Sequence, residues 1–102
     1  MAKAYWIGQI SVQDAAGYEA YRQANAAAFD KYGAKFLVRG GAQTVAEGQA
    51  NPRSVVIEFA DLQTALACYH SPEYQAAKAL RDPVSHGNLV IVEGYEEAAD
   101  VC

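Results

Sequence analysis

Apolar positions along the chain fall into two rhythms: dense short blocks, and longer segments in which they recur every three or four residues. The dense blocks are Tyr5–Ile10 (YWIGQI), Lys35–Arg39 (KFLVR), Ser54–Phe59 (SVVIEF) and Asn88–Glu93 (NLVIVE). Their β-branched and aromatic side chains suit the pleated surface of a strand. Between the first two blocks, Tyr18, Tyr21, Asn25, Ala28, Phe29 and Tyr32 share one helical face. Asp14 offers an N-cap and Gly33 a left-handed stop, so this stretch predicts a helix over about Ala15–Tyr32. A second helix begins at Asp61 with an apolar face of Leu62, Ala65, Leu66 and Tyr69. Ser71-Pro72-Glu73 then reads as a fresh start, with serine at the cap, proline at the first helical position and an acid in the first turn. The pattern predicts a kinked helix in two segments, the second running to about Arg81 and ended by Asp82-Pro83.

Gly40-Gly41 permits a tight turn or bulge, and Gln43–Glu47 reads as a short polar edge strand before the turn-rich loop Gly48–Pro52. The order β-α-β-(β)-β-α-β predicts an α+β, ferredoxin-like βαββαβ domain with an extra short edge strand and both helices on one face of an antiparallel sheet. The other face is the informative one. Val55, Ile57 and Phe59 point one way and Val56 and Glu58 the other, while Leu89 and Ile91 oppose Val90 and Val92. A second apolar face needs a cover, and the chain has no further helix to supply it. The expected cover is a second copy, sheet on sheet, with two-fold symmetry. A charge at Val56 is expected to weaken that dimer if the position faces the seam.

Composition narrows the functional classes. The 102 residues are 52% hydrophobic and 20% charged, with a net charge of −4, which suits one folded domain and excludes disorder. The domain is expected over residues 1–94, followed by an acidic tail, 95–102, that holds Glu96, Glu97 and Asp100. With no Lys/Arg stripe along the sequence, nucleic-acid binding is not expected. No apolar run reaches the ~18 residues of a membrane span, and the start lacks a signal-peptide pattern. Cys68 in a helical pattern and Cys102 at the end of the tail favour two free thiols over one bridge. A reducing, cytoplasmic setting is expected.

The motifs FLVRGG, an arginine before VVIEF, YHSPEYQ in the broken helix and VEG at the end of the last strand resemble the bacterial domain of unknown function 1330. That family is similar in turn to the dimeric α/β-barrel superfamily. The resemblance covers about Ala4–Gly94 and implies a homodimer whose two sheets pack into a barrel-like core, with a small-molecule cleft in each subunit. Superfamily relatives include cofactor-independent monooxygenases, so the resemblance leaves two classes open: a small enzyme or binder of an anionic metabolite, and a non-catalytic dimeric module.

The candidate ligand-binding residues are Arg39, Glu58, Tyr69, Ser71 and Tyr74. Arg39 and Glu58 are charges on otherwise apolar strands and are expected to pair if those strands are neighbours. Such a pair is either a structural ion pair or an anion-binding arginine with Glu58 orienting it or acting as a base. Tyr69, Ser71 and Tyr74 surround the helix break, which is either a capped kink with aromatic packing or a helix N-terminus able to hold a carboxylate or phosphate. An anionic ligand is therefore expected between Arg39 and Ser71. Tyr18 and Tyr21 read as core more readily than as pocket. His70 and His86 lack partners at metal-ligand spacing, so no metal site is expected, and His70 is a minor candidate base beside a solvent-exposed reading. Cys68 reads as a small hydrophobe more readily than as a nucleophile. Gly40-Gly41 opens no helix and makes no phosphate loop, and no cofactor is expected.

Overall fold

Strand β1 (Ala4–Val12) occupies an inner position of the sheet, and every other strand is arranged around it. The computed structural model describes residues 2–96. Asp14 ends the strand and starts α1 (Ala15–Ala24), its carboxylate accepting from the Ala16 and Gly17 N–H groups at 3.1 and 3.2 Å. The expected continuous helix is broken once. Asn25, buried and at φ −71° and ψ −15°, separates α1 from α2 (Ala26–Lys31). Gly33 provides the left-handed stop at φ +68°. β2 (Lys35–Arg39) and β3 (Arg53–Phe59) follow. The kinked helix is α3 (Leu62–His70) and α4 (Pro72–Arg81), and β4 (Ser85–Glu93) closes the described fold.

The sheet has four strands in the order β2-β3-β1-β4, every pairing antiparallel. This is the ferredoxin-like arrangement. The expected extra strand at Gln43–Glu47 does not form. The Gln43 side chain bonds locally instead. Gln43 donates to the Asn51 carbonyl at 2.8 Å and accepts from the Ser54 hydroxyl at 2.5 Å. Asn51 donates its N–H to the Gln9 side chain at 2.8 Å and its amide to the Gln9 carbonyl at 3.0 Å, which ties the loop to β1.

The register decides which side chains meet the helices. Trp6 lies opposite Ile57 and Ile91, and these residues, with Ala4, Ile10, Val55, Phe59 and Leu89, belong to the helix-covered core. Helices contribute Tyr18, Tyr21, Ala28, Phe29, Ala65, Cys68, Tyr74 and Ala77 to the same core. On the opposite face Ile7 lies between Val56 and Val90. Ile7, Val38, Val90 and Val92 stay 40% exposed or more, so this apolar face is bare in the single chain. Tyr5 is on that face too and donates its hydroxyl to Glu58 at 3.3 Å.

Strand β2 carries an irregularity that the alternation of its residues does not announce. Phe36 pairs with Ile57, but Val38 pairs with Val56 and Arg39 with Val55, so the register slips between Phe36 and Val38. Side chains alternate along a strand, and one extra residue reverses every later position. Without the slip Arg39 would share the bare face with Leu37. With it Arg39 turns toward the helices, its guanidinium stacked 4.0 Å above the Phe36 ring centroid.

Candidate functional site

Between the inner face of the sheet and the helices runs a cleft of about 460 Å³, counted with its open mouth. Its floor is apolar and aromatic, from Trp6, Ile57, Phe29 and Tyr74, with Phe36 and Leu89 at the sides. Its charges are all of one sign. The chain has four arginines, Arg22, Arg39, Arg53 and Arg81, and all four line this cleft. Among the described residues no aspartate, glutamate, histidine or cysteine lines it.

Each arginine arrives by a different route. Arg22 stands on α1, four residues after Tyr18, so the two share a helix face. Arg39 is turned inward by the bulge. Arg53 opens β3 two residues before Val55 and therefore points to the same face. Its guanidinium lies 5.5 Å from the Tyr18 ring centroid and presses on Gly40. A Cβ at Gly40 would only displace the flexible end of Arg53, but Gly40 has φ +70°, so the backbone favours glycine there. Arg81 stands seven residues after Tyr74 on α4, its guanidinium 5.6 Å from the Tyr21 ring centroid.

These charges are thinly compensated. Arg22 pairs with Glu19 at 3.1 Å. Arg81 meets Asp82 only at 3.9 Å, and the other Asp82 oxygen is held by Lys78 at 2.8 Å. Arg39 and Arg53 have no ion pair among the described residues. The buried Nε atoms of Arg22, Arg53 and Arg81 have no hydrogen-bond partner among the described residues. Partial burial, then the charges of Arg22 and Arg53, pull the Arg39 pKa below its ordinary value. A guanidinium stays charged through such a shift, so the mutual repulsion stands in the folded protein.

At the floor, the Tyr21 and Tyr74 hydroxyls lie 2.9 Å apart. Burial drives both phenols above their ordinary pKa, Tyr74 most strongly. They remain protonated at neutral pH and act as hydrogen-bonding groups rather than bases.

The structure divides the residues singled out in the sequence. Arg39 and Tyr74 line the cleft; Glu58, Tyr69 and Ser71 do not. The expected Arg39–Glu58 pair is absent although β2 and β3 are neighbours. Glu58 lies opposite Lys35, at the far end of the ladder from Arg39, and bonds Lys3 at 3.3 Å. Tyr69 packs edge-on against Trp6 and His70. Ser71 is buried and fully used, donating to the Cys68 carbonyl at 2.7 Å and accepting from the Tyr74 N–H at 3.1 Å. The start of α4 therefore joins two helices and does not open on the cleft. Ser71→Ala is expected to lower stability by about 1–2 kcal/mol, read from urea unfolding; an unchanged midpoint would remove this structural role.

Tyr18 and Tyr21, read as core, are both core and cleft wall. Arg22, Arg53 and Arg81 are not among the candidates read from the sequence, where Arg53 enters only as the arginine before VVIEF, although its parity with Val55 and the helical spacing of Arg22 and Arg81 are signals the sequence carries. Cys68 is buried, and desolvation pushes its thiol up to about 12, which suits a packed side chain rather than a nucleophile. Cys102 and most of the acidic tail lie outside the described residues. His86 meets Gln13 at 3.2 Å. Among the described residues no three His, Cys, Asp or Glu side chains gather as a metal site would require, and no helix is long and apolar enough to cross a membrane.

Several solved structures share this fold. A protein of unknown function from Rhodopseudomonas palustris superposes with a TM-score of 0.75 at 14% identity, over 93% of this chain and 84% of its own. SnoaB, a cofactor-independent oxygenase from Streptomyces nogalater, gives 0.62 at 14% identity, over 98% and 100%. A protein from Caulobacter crescentus assigned to antibiotic-biosynthesis monooxygenases gives 0.64 at 20% identity, over 93% and 92%. At such identities the likeness is one of fold. No curated protein matches the chain. The family model described as a domain of unknown function (DUF1330) matches residues 3–95, and the chain belongs to that family.

Proposed function

We propose that the protein binds a small organic anion in the cleft between sheet and helices, and that it does so as a homodimer paired through its bare sheet face in a reducing cytoplasm. One observation carries the binding reading: every arginine of the chain lines one cleft that no acidic side chain among the described residues lines. Unpaired guanidinium groups at a partly desolvated site are costly, and an anion relieves the cost with charge-assisted, bidentate hydrogen bonds. The aromatic floor would take the ligand's apolar part. A purely structural role for Arg39 is less well supported, because no acid among the described residues pairs with it.

The cleft's own side chains are suited to holding and orienting an anion. None of them is a neutral-pH base, so any chemistry on the ligand would draw on the ligand's own reactivity. The oxygenase activity of a structural neighbour is compatible with this arrangement, but the low identity leaves it an analogy of fold.

The test is anion-dependent stabilisation. Benzoate at a hundredfold excess over its dissociation constant should add about 2.7 kcal/mol, a rise in melting temperature of roughly 10 °C or more for a domain of this size. Arg39→Lys keeps the charge but loses the planar fork, so it should reduce the shift while leaving the unliganded protein folded. A shift unchanged by Arg39→Lys would place the anion elsewhere. Strong destabilisation of that variant without ligand would make Arg39 a structural residue.

A further inference from the structure

We propose that the ligand of this cleft is a dianion on a flat apolar body, an inference that rests on reading the cleft as an anion site and goes on to count its charge. Of the four guanidinium groups, that of Arg22 is matched by Glu19 at 3.1 Å. Arg81 shares a single carboxylate with Lys78, which holds it more closely. Arg39 and Arg53 have no acidic partner among the described residues. At least two positive charges are thus uncompensated, and one carboxylate would leave the cleft with a net positive charge.

Position supports the count. Arg39 lies opposite Val55, and Arg53 is two residues from Val55 on the same strand face. The two are diagonal neighbours across the β2–β3 ladder, with backbones about 7–8 Å apart. Each guanidinium is set against an aromatic ring, Arg39 on Phe36 and Arg53 near Tyr18. Stacking of this kind occupies a face of the guanidinium plane and leaves its N–H edges for oxygen acceptors. Two such edges at one end of a ring-lined cleft suit either one phosphoryl group between them or two carboxylates on adjacent atoms of a ring. Both are dianions.

The experiment compares benzoate, phthalate and phenyl phosphate by calorimetric titration at pH 8 and low salt. At least one dianion should bind about tenfold or more tightly than benzoate. An advantage for phthalate assigns paired carboxylates, and one for phenyl phosphate assigns a phosphoryl group. Salt should weaken the favoured dianion more steeply than it weakens benzoate, a readout that needs only the unaltered protein. Arg53→Gln should remove most of the dianion's advantage over benzoate; Arg39→Gln, which removes the other uncompensated charge, serves if the first variant is misfolded by circular dichroism. Equal affinity for all three probes would overturn the dianion and leave the anion site standing. Absence of binding by all three would overturn both.

Discussion

Replacing Trp6 with alanine is expected to cost about 3–5 kcal/mol of folding stability. Trp6 is 2% exposed and stands where the inner sheet face meets three of the helices. Its ring centroid lies 4.8–5.9 Å from those of Tyr74, Phe59, Phe29 and Tyr69. The indole N–H donates to the Ala65 carbonyl at 3.0 Å, so truncation removes that buried hydrogen bond as well as leaving a cavity. Trp6 is the sole tryptophan, and its loss removes the fluorescence probe. Unfolding is therefore best followed by far-ultraviolet circular dichroism in urea, at one protomer concentration for both proteins. A loss below about 1 kcal/mol would mean that the neighbouring rings collapse into the space, against the packing described.

Val56→Glu should convert a dimer of twice the 11.0 kDa protomer mass into a monomer. Val56 is central to the bare face, paired with Ile7 on one side and Val38 on the other. A carboxylate there would be desolvated between two apolar sheets, with Glu58 two residues along the same face as a like charge. In a lone chain the position is only half-buried, so the substitution should leave the fold intact. Light scattering across micromolar concentrations reads the result. If the unaltered protein runs at 11.0 kDa, the proposed pairing falls. If Val56→Glu runs as a dimer, the seam lies on another surface.

The fold was legible because its signals are local. Asp14, Asp61, Ser71-Pro72 and Gly33 each mark a helix end through the geometry of a few residues, and each is used as the sequence suggests. The kink between α3 and α4 followed from the same chemistry. The site was less legible because it is assembled by register. Arg39 and Glu58 are both on strands that prove to be neighbours, yet antiparallel pairing places them at opposite ends of the ladder. Nothing short of the register reveals this. Gln43–Glu47 failed for a related reason: the Gln43 side chain is held by the Asn51 carbonyl and the Ser54 hydroxyl, contacts that its sequence alone does not announce. Arg53 is different. Its parity with Val55 and Ile57 was plain in the sequence, but a charge on a core face was not followed to a cleft.

The register slip in β2 makes that strand sensitive to its length in a way that its composition conceals. Leu37, 47% exposed within the slip, should accept most substitutions, because its identity matters less than its presence. Deleting it would restore strict alternation and swing Arg39 onto the opposite side of the sheet, among the residues of the expected seam. One codon lost from β2 would thus disarm the cleft and charge the dimer surface together, with every arginine still encoded. Members of this fold that differ here by a single residue in strand length would differ in what they bind, even where their aligned side chains look alike.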